Sequence, residues 1–281
     1  MSARIVFRLP LLLLILCSAT MLKTRAQTPA AAPGRTPVIV ELFTSEGCST
    51  CPPADELLQK LEAQQPVAGA EVVALEEHVD YWNHDGWNDP YSSAEWTERQ
   101  TVYRTIFNQT EYTPQMIVDG QSQFVGSNGR EAVAQIEKSA HREQTEVAIN
   151  SSEKPDSHGS QRFTVSVGKL TGNTAGDVAE VWLAVTEDGL QSSVNRGENA
   201  GHVLHHIATL RSLHKIGTAD GGAASASFKG DSRVKFESRW KPENLHVVVF
   251  VQEKKSRKIL GVLQRNRRSE RLEIDTGYSI P

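Results

Sequence analysis

Two cysteines separated by two residues, Cys48 and Cys51, constrain this chain more than any other feature of its sequence. They follow the run "PVIVELF" (37–43), which is apolar and β-branched, as is typical of a strand. They introduce residues 51–64, in which apolar residues recur at helical spacing. A cysteine pair between a strand and a helix is open to three interpretations: a pair of metal ligands, a structural disulfide or a working redox pair.

The N-terminus has the pattern of a secretory signal. Basic residues come first, an apolar run follows from residue 9 to 22, and the small residue Ala26 precedes Gln27. We therefore expect a signal peptide at residues 1–26 that is cleaved after Ala26. Cleavage after Ala19 and an uncleaved anchor are the alternatives.

Export decides how the cysteines are interpreted. Cys17 lies inside the apolar run, and the large Leu16 before it does not suit a lipoprotein cleavage site, so we expect Cys17 to be removed. The mature protein is expected to be periplasmic or extracellular. Thiols are readily oxidised there, which favours disulfide chemistry at Cys48 and Cys51 over zinc binding.

The charge balance argues against nucleic acid as a partner. The chain has 30 basic and 34 acidic residues, and four of the basic residues lie within 1–26. The mature chain would keep 26 basic and 34 acidic residues, a net charge near -8, which is opposite to the sign that nucleic-acid binding requires. No later stretch is long and apolar enough to cross a bilayer, so we expect no stable membrane span in the mature chain.

The pattern of apolar residues divides the mature chain into two predicted domains. The first reads strand, helix, strand, helix, strand, strand, helix, which is an α/β order. The second holds short strand-like runs between turn residues and no convincing helix, which predicts a β-sandwich. The predicted segments are a signal peptide (1–26), a flexible leader (27–36), an α/β domain (37–149), a linker (150–161), a β-sandwich domain (162–270) and a tail (271–281).

The position of the cysteine pair suits thiol chemistry. The thiolate is the nucleophile in disulfide exchange, and the N-terminus of a helix stabilises it through unpaired N–H groups and a partial positive charge. Cys48 precedes the predicted helix and Cys51 lies one turn further on, so we expect Cys48 to attack and Cys51 to resolve the mixed disulfide. Ser49 and Thr50 can donate hydrogen bonds to the thiolate, whereas the charge of Glu46 opposes it.

A second candidate element is Thr113-Pro114, in "YTPQMIVDG" (112–120), just before a strand-like run. Asp119-Gly120 suits the turn of a hairpin at this place. A cis bond before Pro114 would place the backbone of Thr113 beside the cysteines, where it could pair with an extended substrate peptide.

These motifs together resemble a known group of proteins. The order strand, turn, "CSTC" opening a helix, and "TP" opening a hairpin resembles the thioredoxin superfamily. More closely, "VELFTSEGCSTCPPADELL", "HVDYWNHDGWNDPY", "YTPQMIVDG" and "RGENAGHVL" resemble the secreted bacterial thioredoxin-like family called domain of unknown function 1223, which has little assigned biochemistry. The resemblance covers about residues 37–265. It implies a fold class of an α/β thioredoxin-like domain followed by an all-β sandwich-like domain.

The resemblance also implies residue roles. Cys48 and Cys51 correspond to a redox pair, and Pro114 corresponds to a cis proline, with Thr113 aligning the substrate. The chain departs from ordinary thioredoxins in two ways. Gly47 rather than Trp precedes Cys48, and about 30 residues are inserted before the proline loop. Both departures leave the substrate and the direction of electron transfer open.

Histidines offer the remaining candidate chemistry. His78, at a predicted strand end, is either a proton-transfer group or a structural residue. A closed zinc site normally has four ligands, so the two cysteines would need His78 or His84 to complete it. We interpret four further histidines as structural residues of the second domain: His202, His205, His206 and His214.

Two loops have no settled role. The tryptophans Trp82, Trp87 and Trp96 either line a substrate surface or pack the inserted helix onto the sheet, and we favour packing. The loop with Glu198 and Asn199 is either a contact surface between domains or a hydrogen-bonded turn.

We therefore predict an exported thiol-disulfide oxidoreductase that acts on protein or small thiol and disulfide substrates with an unidentified redox partner. We predict no cofactor and no metal. Two alternatives stay open: a non-enzymatic secreted binding or assembly module with a structural Cys48–Cys51 disulfide, and a metal-handling protein.

Overall fold

Strands predominate in this protein. The structure is a computed structural model, and it describes residues 34–151 and 155–266. The predicted signal peptide (1–26), most of the leader (27–36) and the tail (271–281) lie outside the described residues.

The first part of the chain has the predicted order of elements, which is thereby confirmed. A short 3-10 helix at Tyr81–His84 is an addition to that order. The elements are β1 (Thr36–Thr44), α1 (Pro52–Gln64), β2 (Ala70–His78), α2 (Ala94–Phe107), β3 (Gln115–Val118), β4 (Ser122–Val125) and α3 (Gly129–Ala140).

Local sequence explains where these elements begin and turn. Ser93 and Asn128 cap α2 and α3 by accepting hydrogen bonds from backbone N–H groups of the first helical turn. Pro52 opens α1, where the missing N–H costs nothing. Between β3 and β4, Asp119 and Gly120 both have positive φ, of 47° and 68°, which is the backbone of a tight hairpin turn.

The second part of the chain is built from strands, with one short 3-10 helix at Pro242–Asn244. The strands are β5 (Val147–Asn150), β6 (Ser160–Val167), β7 (Ala179–Glu187), β8 (Leu190–Ser193), β9 (Val203–His206), β10 (Thr209–Ala219), β11 (Phe228–Lys235), β12 (Leu245–Glu253) and β13 (Ile259–Asn266).

The predicted fold class is wrong, because one large mixed sheet runs through both parts of the chain. Its eight strands follow the order β13-β12-β7-β10-β2-β1-β3-β4. The two parts join where β10 runs parallel to β2, with Thr209 opposite Glu76. Four of the strands assigned to a separate sandwich, β7, β10, β12 and β13, therefore extend the sheet that carries the helices. The boundaries of the proposed domains stay a prediction.

Smaller sheets complete the fold. A three-stranded sheet in the order β11-β6-β5 packs on β7 and β12, where Phe163, Leu183 and Val249 share one buried cluster. Two layers of sheet do exist at this end, but the larger layer is the eight-stranded sheet itself. Strands β8 and β9 form a separate hairpin.

Residues of β1 and β2 alternate between the two faces of the sheet. On one face, Leu42 and Ala74 pack against α1 and α3. On the other face, Ile39 and Leu75 pack against Trp96 of α2. Trp96 is thus a packing residue, as favoured from the sequence.

The face beneath α2 also holds a buried ionic group. The Arg99 guanidinium donates to Glu41 Oε2 at 2.6 Å and lies 3.4 Å from Glu77 Oε1. The Tyr103 hydroxyl donates to Glu41 Oε1 at 2.5 Å, and the Gln252 amide of β12 donates to the same hydroxyl at 3.0 Å. This group ties α2 to three strands of the large sheet.

The parallel pairing of β1 and β2 sets the position of the cysteines. Thr44 lies opposite His78, so both strands end at the same edge of the sheet. The loop that carries Cys48 and the loop that follows His78 must therefore meet there, at the carboxyl ends of parallel strands, where α/β proteins commonly bind ligands.

Candidate functional site

Cys48 and Cys51 form a disulfide at the start of α1. Cys51 is the N-cap residue, and its carbonyl accepts the first helical hydrogen bond from Ala54 N at 2.8 Å. Cys48 Sγ lies 3.3 Å from the hydroxyl of Thr50. The half-cystines are 1% and 0% exposed, while Ser49 and Thr50 between them are exposed. The disulfide therefore lies just under the surface.

A loop from the second part of the chain covers the disulfide. Asn199 Nδ2 donates to the carbonyl oxygens of Glu46 at 2.8 Å and of Cys48 at 3.0 Å. The backbone N–H of Ser49 donates to Glu198 Oε2 at 3.0 Å. We call residues 194–202 the cover loop. Both interpretations of this loop apply: it contacts the first part of the chain, and it is a hydrogen-bonded turn in which Gly201 N–H donates to the Val194 carbonyl at 2.8 Å.

Trp82 connects the cysteine loop to the proline loop. Its indole N–H donates to Thr113 Oγ1 at 2.8 Å. A Cβ added to Gly47 would come within 2.9 Å of Trp82 Cβ, so the residue before Cys48 packs directly against this tryptophan. A glycine before Cys48 thus leaves room for Trp82.

The Thr113–Pro114 peptide bond is cis. A Cβ added to Gly126 would lie 3.1 Å from both Pro114 Cβ and Ala54 Cβ, which places the proline beside the first turn of α1. The structure therefore brings Thr113 and Pro114 to the same helix end as Cys48 and Cys51.

A buried histidine at the end of β2 lies behind this loop. His78 Nδ1 is 2.7 Å from Asp89 Oδ2. Its other ring nitrogen, Nε2, is 3.4 Å from Glu76 Oε2 and has no hydrogen-bond partner among the described residues. His78 was expected from the sequence as a site residue, whereas Asp89 was not.

His206, at the end of β9, was missed as a site residue. Its Nδ1 is 3.1 Å from Glu76 Oε1 and its Nε2 is 3.0 Å from Glu46 Oε1. The rings of His206 and His78 are 4.6 Å apart, centroid to centroid. The alternating pattern of the β9 strand was the available signal, because it buries His206 and exposes His205.

The other histidines named from the sequence lie outside this group. Exposed side chains belong to His84, His202, His205 and His214. His202 precedes β9, whereas His206 is its last residue. We call the five buried residues Glu46, Glu76, His78, Asp89 and His206 the histidine–carboxylate cluster.

Glu46 links the cluster to the disulfide, because it lies two residues before Cys48. Its second carboxylate oxygen accepts a hydrogen bond from Trp87 Nε1 at 2.7 Å. Its backbone N–H donates to Asp89 Oδ2 at 2.8 Å. The Thr209 hydroxyl donates a hydrogen bond to Glu76 Oε2 at 2.8 Å. The cluster thus contacts the cysteine loop, the loop after β2 and the start of β10.

The carboxylates and histidines of the cluster stabilise one another in their charged forms. Burial by itself would raise the pKa of Glu76, but His206 and His78 outweigh it and lower the pKa to about 2. Burial would lower the pKa of His206, yet Glu76 and Glu46 raise it to about 9. Burial is likewise outweighed at His78, whose pKa Asp89 and Glu76 raise well above its usual value. Strongly perturbed groups of this kind concentrate at functional sites, although structural ion pairs share the property.

Asp55, one helical turn after Cys51, is a further buried carboxyl group. The Thr44 hydroxyl donates to its Oδ1 at 2.6 Å. Burial, reinforced by the charge of Glu76, raises the pKa of Asp55 to about 7. A group that exchanges a proton near neutral pH thus lies beside the start of α1.

Comparison with known proteins bears first on the fold. The chain resembles the crystal structure of protein AGR_C_4864 from Agrobacterium tumefaciens, with 24% sequence identity and a TM-score of 0.59, over 84% of this chain and 96% of that one. It also resembles HBP35 of Porphyromonas gingivalis, with 17% identity and a TM-score of 0.58, over 83% of this chain and 75% of that one. At these identities the two structures bear on the fold alone.

No curated protein matches the sequence. Within the described residues, no helix has the length and apolar character to cross a membrane. The model of a family described as "Protein of unknown function (DUF1223)" matches residues 39–252, which include every residue of the site described above. The chain therefore belongs to the DUF1223 family.

Proposed function

We propose that this protein is an exported thiol-disulfide oxidoreductase that uses the Cys48–Cys51 pair. The observation that carries the proposal is the position of the disulfide: it closes the start of α1 beside Thr113–Pro114, with titratable groups buried directly behind it. A merely structural disulfide between residues three apart closes a very short loop and removes little chain entropy. Chemistry is the better reason for this placement.

The reaction exchanges one disulfide for another. A substrate thiolate attacks Cys48 Sγ, the Cys48–Cys51 bond breaks, and Cys51 leaves as a thiolate that takes up a proton. A second substrate thiol then attacks the mixed disulfide and releases Cys48 as a thiolate. The substrate dithiol is oxidised to a disulfide as the protein gains two thiols. In the opposite direction, Cys48 attacks a substrate disulfide and Cys51 resolves the intermediate. An external couple such as glutathione closes the cycle.

Substrate access requires movement of the cover loop, because both half-cystines are buried. Three hydrogen bonds hold the loop there: two from Asn199 and one to Glu198. Each is worth about 1 kcal/mol of net stability, so a minor open population can exist at equilibrium. Thr113, held by Trp82, would then border the exposed disulfide and align an extended substrate.

The second candidate is a non-enzymatic secreted binding or assembly module with a structural disulfide. The burial of Cys48 favours it, since an attacking thiol cannot reach the sulfur in this conformation. The two candidates differ in what happens when one cysteine is removed.

A trapping experiment separates them. Cys51→Ser leaves Cys48 without its resolving partner, so we expect a stable mixed disulfide with glutathione or with substrate proteins at Cys48. Cys48→Ser should trap far less, because the proposed attacking cysteine is then absent. Mass spectrometry of both variants gives the answer. Failure of both to form mixed disulfides in the folded state would favour the module, and preferential trapping at Cys51 would reverse the assigned roles.

A further inference from the structure

We propose that the histidine–carboxylate cluster is a site for one divalent transition-metal ion of the zinc type, bound by His78, His206 and Glu76. One donor atom from each of these residues lies within 4.8 Å of the others, and all three side chains are buried. The site would bind its ion whether or not the disulfide exchanges.

The spacing of the donor atoms suits a metal ion. Ligand atoms about 2.1 Å from a tetrahedral zinc lie roughly 3.4 Å apart. Glu76 Oε2 and His78 Nε2 are 3.4 Å apart, and Glu76 Oε1 and His206 Nδ1 are 3.1 Å apart. His78 Nε2 is also a buried polar atom without a hydrogen-bond partner among the described residues, and it faces Glu76. The two distances involve different oxygens of Glu76, so this residue would bind the ion through both oxygens or through one of them after rotation, with one donor atom of each residue within 4.8 Å of the others.

Each histidine is oriented by a carboxylate on its far side. Asp89 lies 2.7 Å from His78 Nδ1, and Glu46 lies 3.0 Å from His206 Nε2. A carboxylate that accepts the N–H of one ring nitrogen leaves the other nitrogen free to bind a metal, and metal-binding histidines usually have such a partner. Two histidines arranged in this way around one glutamate make the pattern more specific than a group of acidic residues.

The negative charges of the cluster also favour binding of a cation. Three buried carboxylates, those of Glu46, Glu76 and Asp89, surround the two rings. A bound divalent cation would displace the protons that these carboxylates stabilise on His78 and His206, and its two charges would balance the carboxylates in their place.

The donor set also selects the ion. Two imidazoles and one carboxylate suit Zn²⁺, Co²⁺, Ni²⁺ or Fe²⁺, and leave a position for water or another ligand. Mg²⁺ and Ca²⁺ prefer all-oxygen sites and are expected to compete poorly. The half-buried Tyr91 ring lies 5.4 Å from each imidazole, centroid to centroid, and is the outer wall of the site.

The first experiment uses the untagged full chain with Cys17→Ser, so that no free thiol remains once Cys48 and Cys51 are oxidised. After dialysis against micromolar Zn²⁺, we expect one zinc per chain. X-ray absorption of the Zn²⁺ form should show nitrogen and oxygen ligands and no sulfur. Binding of less than 0.1 equivalent, or sulfur in the coordination shell, would overturn the proposal. This result does not depend on any variant folding.

Variants then assign the ligands. His78→Gln and His206→Gln should each weaken Zn²⁺ binding by more than about 100-fold, and Asp89→Asn by about 10- to 100-fold. His246→Gln is the control, because His246 is a half-buried histidine that is also paired with a carboxylate, 2.7 Å from Asp188. The proposal fails if folded His78→Gln and His206→Gln bind zinc like the parent, or if His246→Gln loses binding equally. The double variant Cys48→Ser/Cys51→Ser should bind zinc as tightly as the parent protein does, even though it cannot exchange disulfides.

Discussion

The side-chain amide of Asn199 donates a hydrogen bond to the carbonyl oxygen of Cys48 at 3.0 Å, although the residues are 151 positions apart. The same amide reaches the carbonyl of Glu46. The second part of the chain thus contacts the loop that carries the disulfide of the first part. A loop held by a few hydrogen bonds is suited to open and close, because its stability is a small part of the total.

Asn199→Ala should therefore expose the disulfide. We expect dithiothreitol to reduce the native variant several-fold to tenfold faster than the wild type. The free energy of unfolding should fall by about 1–3 kcal/mol, because two buried carbonyls each lose the hydrogen bond from Asn199. The rate of disulfide reduction is measured by quenching samples at timed intervals, alkylating the free thiols and counting the labelled cysteines by mass spectrometry. The control is Asn244→Ala, which removes a similar amide-to-carbonyl bond, to Asp188, away from the disulfide. Equal rates in Asn199→Ala and the wild type would show that the cover loop does not limit access.

Arg99→Met should be among the most destabilising changes on α2. It leaves Glu41 and Glu77 buried without their cation, which typically costs about 3–5 kcal/mol. Burial, and then the charge of Glu41, raise the pKa of Glu77, while Arg99 opposes them, so proton uptake should recover part of this loss at low pH.

Arg104→Met, on the same helix, is the matched control for Arg99. Arg104 pairs with Glu111 at 3.4 Å in a half-exposed position, and such pairs contribute at most about 1 kcal/mol. Urea unfolding of both variants gives the comparison. Similar losses would contradict the structural role assigned to Arg99.

Asp55 should make stability fall as pH rises. Its pKa is about 7 in the folded protein against an ordinary value of 3.8, so the folded state keeps a proton that the unfolded chain has lost between these values. The stabilisation from this group is complete below about pH 4 and is lost as pH rises towards 7. The full effect is on the order of 2–4 kcal/mol.

Asp55→Asn removes this titration and keeps an acceptor for Thr44. The difference in unfolding free energy between pH 5 and pH 8 should therefore shrink in Asp55→Asn relative to the wild type. Glu56→Gln, an exposed change on the same helix, should leave that difference as it is. An unchanged pH dependence in Asp55→Asn would mean that Asp55 ionises as it does in water.

Local features of this fold were predictable and long-range ones were not. The hairpin through Asp119-Gly120 and the α2 helix depend on turn chemistry and apolar spacing over a few residues, and the sequence contains both. The pairing of β10 with β2 depends on strands over a hundred residues apart, which no local pattern indicates. The sequence therefore predicted a separate sandwich, whereas β7, β10, β12 and β13 belong to the same sheet as β1 and β2.

In the candidate site, too, the residues of local motifs were predictable and the long-range contacts were not. Cys48, Cys51, Thr113 and Pro114 belong to motifs that can be recognised along the chain. His206 meets Glu46 across 160 residues. Burial of the disulfide by Asn199 is equally remote in sequence. The alternating pattern of β9 indicates that His206 is buried, but no local pattern indicates which residues it meets across the fold.

The redox equilibrium of the native protein tests the central claim most directly. The folded chain would be equilibrated in a series of glutathione and dithiothreitol buffers, quenched with acid and alkylated, and the fraction of reduced Cys48–Cys51 measured by mass spectrometry while circular dichroism monitors the fold. We predict a reversible two-electron transition with a midpoint above about -300 mV, the range of exchange-active rather than structural disulfides. A pair that stays oxidised across the series, or is reduced only when the protein unfolds, would contradict the account.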